Sequence, residues 1–257
     1  MQFYENEIKS IFATKKKYMK MRILLSLLLS LIIMNQTFAK PIETDSFTTK
    51  EGKKVTLHFI QHASFYFTFD EITIYSDPVQ YEGVDYQTMP KADVILVTHE
   101  HYDHLDKDVI NLISTPNTVI FCNKTAGEVL KTGIILQNGD QVSNVINIEA
   151  VPAYNTTEGR AIYHPKGRDN GYVITLGGSR IYISGDCEDM PEMAKLENID
   201  VAFLPINQPY TMTVEQAINA AKIIKPKILY PIHYSDTDLT GLSVLKKEKI
   251  DVRIFKM

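Results

Sequence analysis

Apolar and polar positions alternate with a period of two through KVTLHFIQHASFYFTFDEITIYSDP, residues 54–78, where Val55, Leu57 and Phe59 share one face and Thr56 and His58 the other. That alternation, rich in Tyr, Phe, Thr and Ile, predicts three short strands. ADVILV (92–97) is apolar almost throughout and predicts a strand buried on both faces, followed by a short helix over DKDVINLIS (106–114). TVIFC (118–122) reads as strand and TAGEVLKT (125–132) as helix, with two further strands expected around the turn dipeptide Asn138-Gly139. In the second half, GYVITL and RIYISGD are expected to form a hairpin across Gly177-Gly178, followed by a brief helix at MPEMAKL and a strand at DVAFLPI. Thr213 and Gln216 make a capping box that opens the helix VEQAINAAKII, which Pro226 ends. KILYPIHY and DVRIF read as strands flanking a last helix near LSVLKKEK. Two strand-rich halves, each covered by helices, point to an α/β fold, a four-layer αββα sandwich, and no Gly-x-Gly-x-x-Gly signature of a dinucleotide site is present.

The first 39 residues do not share this pattern. Lys20 and Arg22 precede Ile23–Met34, an apolar core of twelve residues that is too short to span a bilayer and runs into the small-x-small stretch Thr37-Phe38-Ala39. The expectation is an export signal ending near Ala39 behind an upstream leader (1–39), and a single domain over 40–257 destined for the periplasm or for secretion, with no stable membrane span. Residues 1–39 hold six of the 27 basic and two of the 31 acidic side chains, leaving 21 against 29 and a formal charge of −8. That balance gives no electrostatic reason to expect nucleic acid as a partner. With two cysteines, Cys122 and Cys187, the chain is no disulfide scaffold, although one bridge is possible; Cys122 closes an apolar run and reads as a buried small hydrophobe.

Chemistry concentrates in THEHYDHLD (98–106). His99, His101, Asp103 and His104 follow directly on a buried strand, where loops of α/β proteins carry function, and imidazole with carboxylate suits zinc, manganese or iron. On a loop, His99 and His101 can turn to one ion and Asp103 and His104 to another. Further donors stand at later strand ends: His164 in YHPKG, Asp186 in SGD and His233 in YPIHY. Asp106 reads better as the N-cap of the following helix than as a ligand.

The order H-x-H-x-D-H, a His about sixty residues on, Gly-Asp after a strand and a late His resembles the metallo-β-lactamase superfamily, over nearly all of residues 54–257. The wording THEHYDHLD, QHAS, YSDP and HPKG is most similar to the branch that contains ascorbate-6-phosphate lactonase and N-acylphosphatidylethanolamine phospholipase D. The resemblance implies the αββα fold, His99, His101 and His164 on one metal, Asp103, His104 and His233 on the other, and Asp186 bridging both. It further implies two divalent ions, zinc first with manganese or iron as alternatives, and a metal-bridging hydroxide, oriented by Asp103, that cleaves a small ester, lactone or phosphodiester in a small-molecule substrate. A catalytically idle metal- or ligand-binding member of the fold, or a lipid phosphodiesterase, stands as the alternative. Around this set, His62 in QHAS is expected to face the substrate as a second catalytic residue, and Asp77 to orient a ligand histidine or to form a turn before Pro78. Tyr102, Tyr154, Asn155 and Tyr210 are candidate substrate contacts, His58 is structural, and Cys187 is a non-ligand beside Asp186.

Overall fold

The strands are laid down in chain order into two seven-stranded sheets. The computed structural model describes residues 18, 20–22, 41–143 and 146–257; the apolar core at 23–34 and the small-x-small stretch after it lie outside them. The first sheet runs β1 (Glu43–Thr48), β2 (Lys54–Gln61), β3 (Ser64–Phe69), β4 (Ile72–Ser76), β5 (Val94–Val97), β6 (Val119–Cys122) and β7 (Ile134–Ile135). The second runs β8 (Gln141–Ser143), β9 (Asn147–Ala153), β10 (Asp169–Leu176), β11 (Ser179–Ile183), β12 (Ile199–Pro205), β13 (Ile228–Ile232) and β14 (Asp251–Val252). Each sheet is mixed, with an antiparallel meander (β1–β4, β8–β11) continued by parallel strands.

Three apolar clusters define the layers. Between the sheets, Leu57, Phe65 and Phe67 meet Ile174, Phe203 and Tyr230, and the rings of Phe65 and Phe203 stack at 4.4 Å. Outside the first sheet, Ile95 and Val97 pack on the helices α1 (Lys107–Ile113) and α2 (Lys124–Leu130). Outside the second, Val173 and Leu204 pack on α3 (Val214–Ile224) and on the 3-10 turns Pro191–Lys195 and Thr240–Glu248. This is the expected αββα sandwich.

Several local signals act as the sequence indicates. Asp106 caps α1, its carboxylate accepting from the N–H groups of Asp108 and Val109, a contact of about 1 kcal/mol. Thr213 and Gln216 form the capping box of α3. Other elements differ. β1 lies in the short polar stretch before residue 54, where the hydrophobic pattern predicts no element, because an edge strand needs only one inward residue, Phe47. Asn138-Gly139 is no hairpin turn: β7 pairs with β6 and β8 with β9, so the dipeptide carries the chain from one sheet to the other. MPEMAKL and LSVLKKEK form 3-10 turns instead of α-helices, and of DVRIF just Asp251 and Val252 pair. Cys122 and Cys187 are both buried and free.

At one end of the sandwich the loops after β5, β11, β12 and β13 converge. Asn170 N–H donates to the carbonyl of Thr98 at 3.1 Å, joining the sheets directly. The junction requires glycine. A Cβ on Gly185, whose φ is +62°, would sit 2.7 Å from the carbonyl oxygen of Asn170, and one on Gly171 2.7 Å from that of Ser184.

Candidate metal centre

β5 is apolar on both faces and ends at Val97, so the chain leaves the sandwich where it must turn, and a tight turn (His104 and Leu105 N–H to the His101 carbonyl, 2.9 Å each) brings the loop's donors back over the strand end. Leu105, buried, pins the far side. Three sets of donor atoms result, each within 4.8 Å of one another: His99, His101 and His164; His62, Asp103, His104 and His233; and His99, His104 and Asp186. All seven residues named as ligands in the sequence therefore converge, and His62 joins them.

Hydrogen bonds settle which nitrogen three of the rings offer. The hydroxyl of Thr98 gives its one proton to Asp77 (2.7 Å), so it accepts from His99 Nδ1 at 3.0 Å and leaves the Nε2 lone pair of His99 free. His104 Nδ1 faces Asp77 at 2.9 Å and His164 Nδ1 faces Asp169 at 3.2 Å, which likewise turns each Nε2 inward. His104 Nε2 and His164 Nε2 lie 3.3 and 3.4 Å from the two oxygens of Asp186, and His233 Nε2 lies 3.3 Å from the second of them. His99 Nε2, His104 Nε2 and Asp186 Oδ1 are buried without any hydrogen-bond partner. Buried polar atoms are rarely left so; three such atoms within 4.8 Å of one another fit a cation that takes the place of the His104 Nε2 proton.

The charges agree. Burial and the neighbouring His104 push the pKa of His99 well below its ordinary value, and burial with His164 lowers that of His101, so both offer neutral lone pairs. Burial opposes ionisation of Asp186 and Asp103, but the surrounding histidines outweigh it and hold both carboxyls well below the usual range. The same pairing works in reverse on two rings: burial disfavours their charge, yet Asp186 with Asp77 raises His104, and Asp186 with Asp103 pushes His233 up to about 9. Backbone strain collects here too. His62, Asp77, His233 and Ser235 all adopt the left-handed conformation, and His233 N–H donates to the carbonyl of His62 at 2.9 Å.

His62, His101, Asp103, His164, Asp186 and His233 floor a cleft of about 500 Å³, with His99 and His104 buried outside its lining, and Tyr102, Tyr163, Asn207, Tyr210 and Ser235 line the rest. His62 Nε2 lies 3.2 Å from Asp103 Oδ2 and its ring rests 3.6 Å from that of His233. Tyr102 and Tyr210 reach the cleft; Tyr154 and Asn155 are not among its lining residues. Tyr154 is buried with its hydroxyl on Glu192, and Asn155 ties the Tyr210 carbonyl (2.7 Å) to the loop of His164. Cys187 packs in the apolar cluster behind Asp186 and belongs to no donor set, and His58 stacks on Tyr66. Asp169, Thr98 and Asn207, whose side-chain nitrogen lies 3.5 Å from His233 Nδ1, escape a sequence reading, since nothing in GRDN or LPINQ sets them apart.

Residues 56–233, well over half of the sequence, match the family described as beta-lactamase superfamily domain. The chain belongs to this family. Within the beta-lactamase superfamily it is 52% identical to a crystallised Parabacteroides distasonis protein described as a metal-dependent hydrolase, which covers 84% of this chain and 100% of that one with a TM-score of 0.82. It is 34% identical over 160 residues to a UPF0173 metal-dependent hydrolase of Nanoarchaeum equitans, spanning 58% of this chain and 73% of the relative. A metallo hydrolase of Ignicoccus hospitalis, 23% identical over 83% of this chain and 96% of its own with a TM-score of 0.63, shares the fold. Among the described residues no helix is long and apolar enough to cross a membrane.

Proposed function

We propose that the protein is an exported metal-dependent hydrolase that cleaves a small ester, lactone or phosphodiester with water and uses two divalent ions, zinc before manganese or iron. One observation carries this reading: seven donors from both halves of the chain converge, five of them lining one cleft, with the oxygens of Asp186 lying between His104 on one side and His164 and His233 on the other. The names of its relatives as metal-dependent hydrolases support it. His99, His101 and His164 would hold one ion, Asp103, His104 and His233 the other, and Asp186 both. When bound, such ions lower the pKa of a coordinated water toward neutrality and polarise the bond under attack.

The chain's own groups do the rest. Asp103, ionised and half-buried, orients the attacking water through the oxygen it also turns to His62 and His233. His62 lines the cleft, and burial lowers its pKa, so near neutral pH it is unprotonated and able to pass to the departing oxygen the proton that the attacking water gives up to Asp103. Asp77 and Asp169 fix the tautomers of His104 and His164. No serine or cysteine nucleophile takes part.

The test is elemental analysis of the purified protein together with a hydrolysis panel of lactones, carboxylic esters and phosphodiesters. The expected result is close to two equivalents of metal and turnover that chelation abolishes. A protein that takes up no zinc, manganese or iron, or that gains no activity from them on any substrate, would falsify the reading. Export is checked by N-terminal sequencing of the mature chain, expected to start at Lys40.

A further inference from the structure

The cleft floor is charged, but its mouth is not. Among the described residues lining it there is no lysine or arginine. The guanidinium beside the floor, Arg168, is already committed: it donates to both oxygens of Asp169 (2.7 and 2.8 Å) and to the Tyr163 carbonyl (2.8 Å), and it pairs with Glu100. Arg160, on the same loop as Tyr163, is clamped to the fully buried Glu188 at 3.0 Å. An anionic group beyond the reacting bond would find no free cation to pair with.

What the mouth offers is aromatic surface. Tyr102 is 87% exposed and Tyr210 45%, and Ile162, the neighbour of Tyr163, is 76% exposed. Single exposed apolar residues are ordinary, but several around a concave site mark a place for apolar contact. The rings of Tyr163 and Tyr210 stand 5.1 Å apart, edge to face at 73°, although they come from different loops. Those loops are fixed to each other. Asn155 donates through its side chain to the Tyr210 carbonyl, and through its backbone to the carbonyl of His164, the residue after Tyr163. The aromatic pair is thus set in place before any ligand arrives, and its position relative to the floor is set by a metal-facing residue.

We propose that the non-reacting part of the substrate is an uncharged apolar group, aryl or acyl, held at the cleft mouth by Tyr163 and Tyr210 with Tyr102 on the same rim. The proposal rests on the hydrolase reading for the place of the reacting bond, and it narrows that reading to neutral esters or lactones over substrates that carry phosphate. An edge-to-face site accepts a third ring or a flat acyl chain at little ordering cost, because the tyrosines have few rotamers to lose.

The experiment uses zinc-loaded protein and hydroxamates that share one metal-binding head but differ in their tail: acetohydroxamate, phenylacetohydroxamate and its para-phosphonate. Binding is followed by calorimetry and by tyrosine emission, which no tryptophan masks because the chain has none. The phenyl tail is expected to tighten binding about tenfold over the methyl tail, and the phosphonate to cancel that gain. Tyr210→Ala and Tyr163→Ala should each cut the gain to about threefold or less, while Tyr210→Phe keeps it. Equal affinities, a preference for the phosphonate, a gain that Tyr210→Phe loses as fully as Tyr210→Ala, or no binding of any tail overturns the proposal. Absence of hydrolysis across the substrate panel, with the hydroxamate selectivity intact, sinks the hydrolase reading and leaves the aromatic grip standing.

Discussion

The two halves of the site are built in different ways. The first half takes four donors, His99, His101, Asp103 and His104, from one loop after β5, held by a single buried carboxylate, Asp77, that binds Thr98 and His104 together. The second half takes one donor from each of three separate places, His164 before β10, Asp186 after β11 and His233 after β13, with Asp169 behind His164 and Asn207 beside His233. A loop whose members sit within six residues keeps their spacing through local turns. Donors on separate strands keep theirs only if the whole second sheet holds its register, and Gly171 and Gly185 allow backbone against backbone where β10 meets the end of β11.

Asp186, though it belongs to the second half, is the one donor assigned to both ions, and its replacement is expected to disturb both sites at once. Asp186→Asn keeps the shape but removes the charge between them, and it is expected to cost at least about a thousandfold in turnover and to strip metal from both sets, read by elemental analysis beside kinetics. Retention of both ions would show that the two halves do not depend on a common carboxylate. The supports should separate the halves. Asp77→Asn, which loosens His104 directly and His99 through Thr98, is expected to weaken both ions about 10- to 100-fold, and Asp169→Asn to weaken the His164 side alone by a similar factor, measured by competition with a chromogenic chelator. Identical loss of both ions in both variants would erase the distinction.

Proton linkage gives a subtler view. Without metal, the pKa of His233 is raised from 6.5 to about 9, so its contribution to stability is full below pH 6.5 and is lost as pH rises toward 9. The metal-loaded protein needs the neutral ring and gains across the same window. Thermal unfolding with and without zinc should therefore show a gap in Tm that widens from pH 6.5 to 9. Loading at pH 7.5 should release protons, about one of them from His233, visible as a buffer-dependent binding enthalpy. The smallest effect lies outside both halves: Asp106→Ala should cost about 1 kcal/mol in chemical denaturation and leave metal content unchanged, because this carboxylate caps a helix.

The same contrast governs what can be read without a structure. H-x-H-x-D-H is conspicuous because its donors are sequence neighbours, and the strand before it is visible as an unbroken apolar run. His164, Asp186 and His233 are ordinary residues in isolation, and only the resemblance to a family joins them to the first set. Asp169 and Asn207 stay hidden, since an acceptor behind a histidine is defined by where two strands end and by nothing in its own neighbourhood. The Asn138-Gly139 turn misleads for a related reason: turn chemistry reports that the chain bends but not which sheet it enters next. β1 is missed because an edge strand can be almost wholly polar.

That crossing at Asn138-Gly139 has a consequence for dissection of the molecule. Because β1–β7 precede it and β8–β14 follow it, a cut there yields two fragments that each own a full sheet and an incomplete set of donors. Neither fragment can hold an ion in the manner of the intact protein, and each carries one apolar face of the core that the other covers. Zinc would then act as the dimeriser of a split protein, and recovered hydrolysis would count assembled pairs.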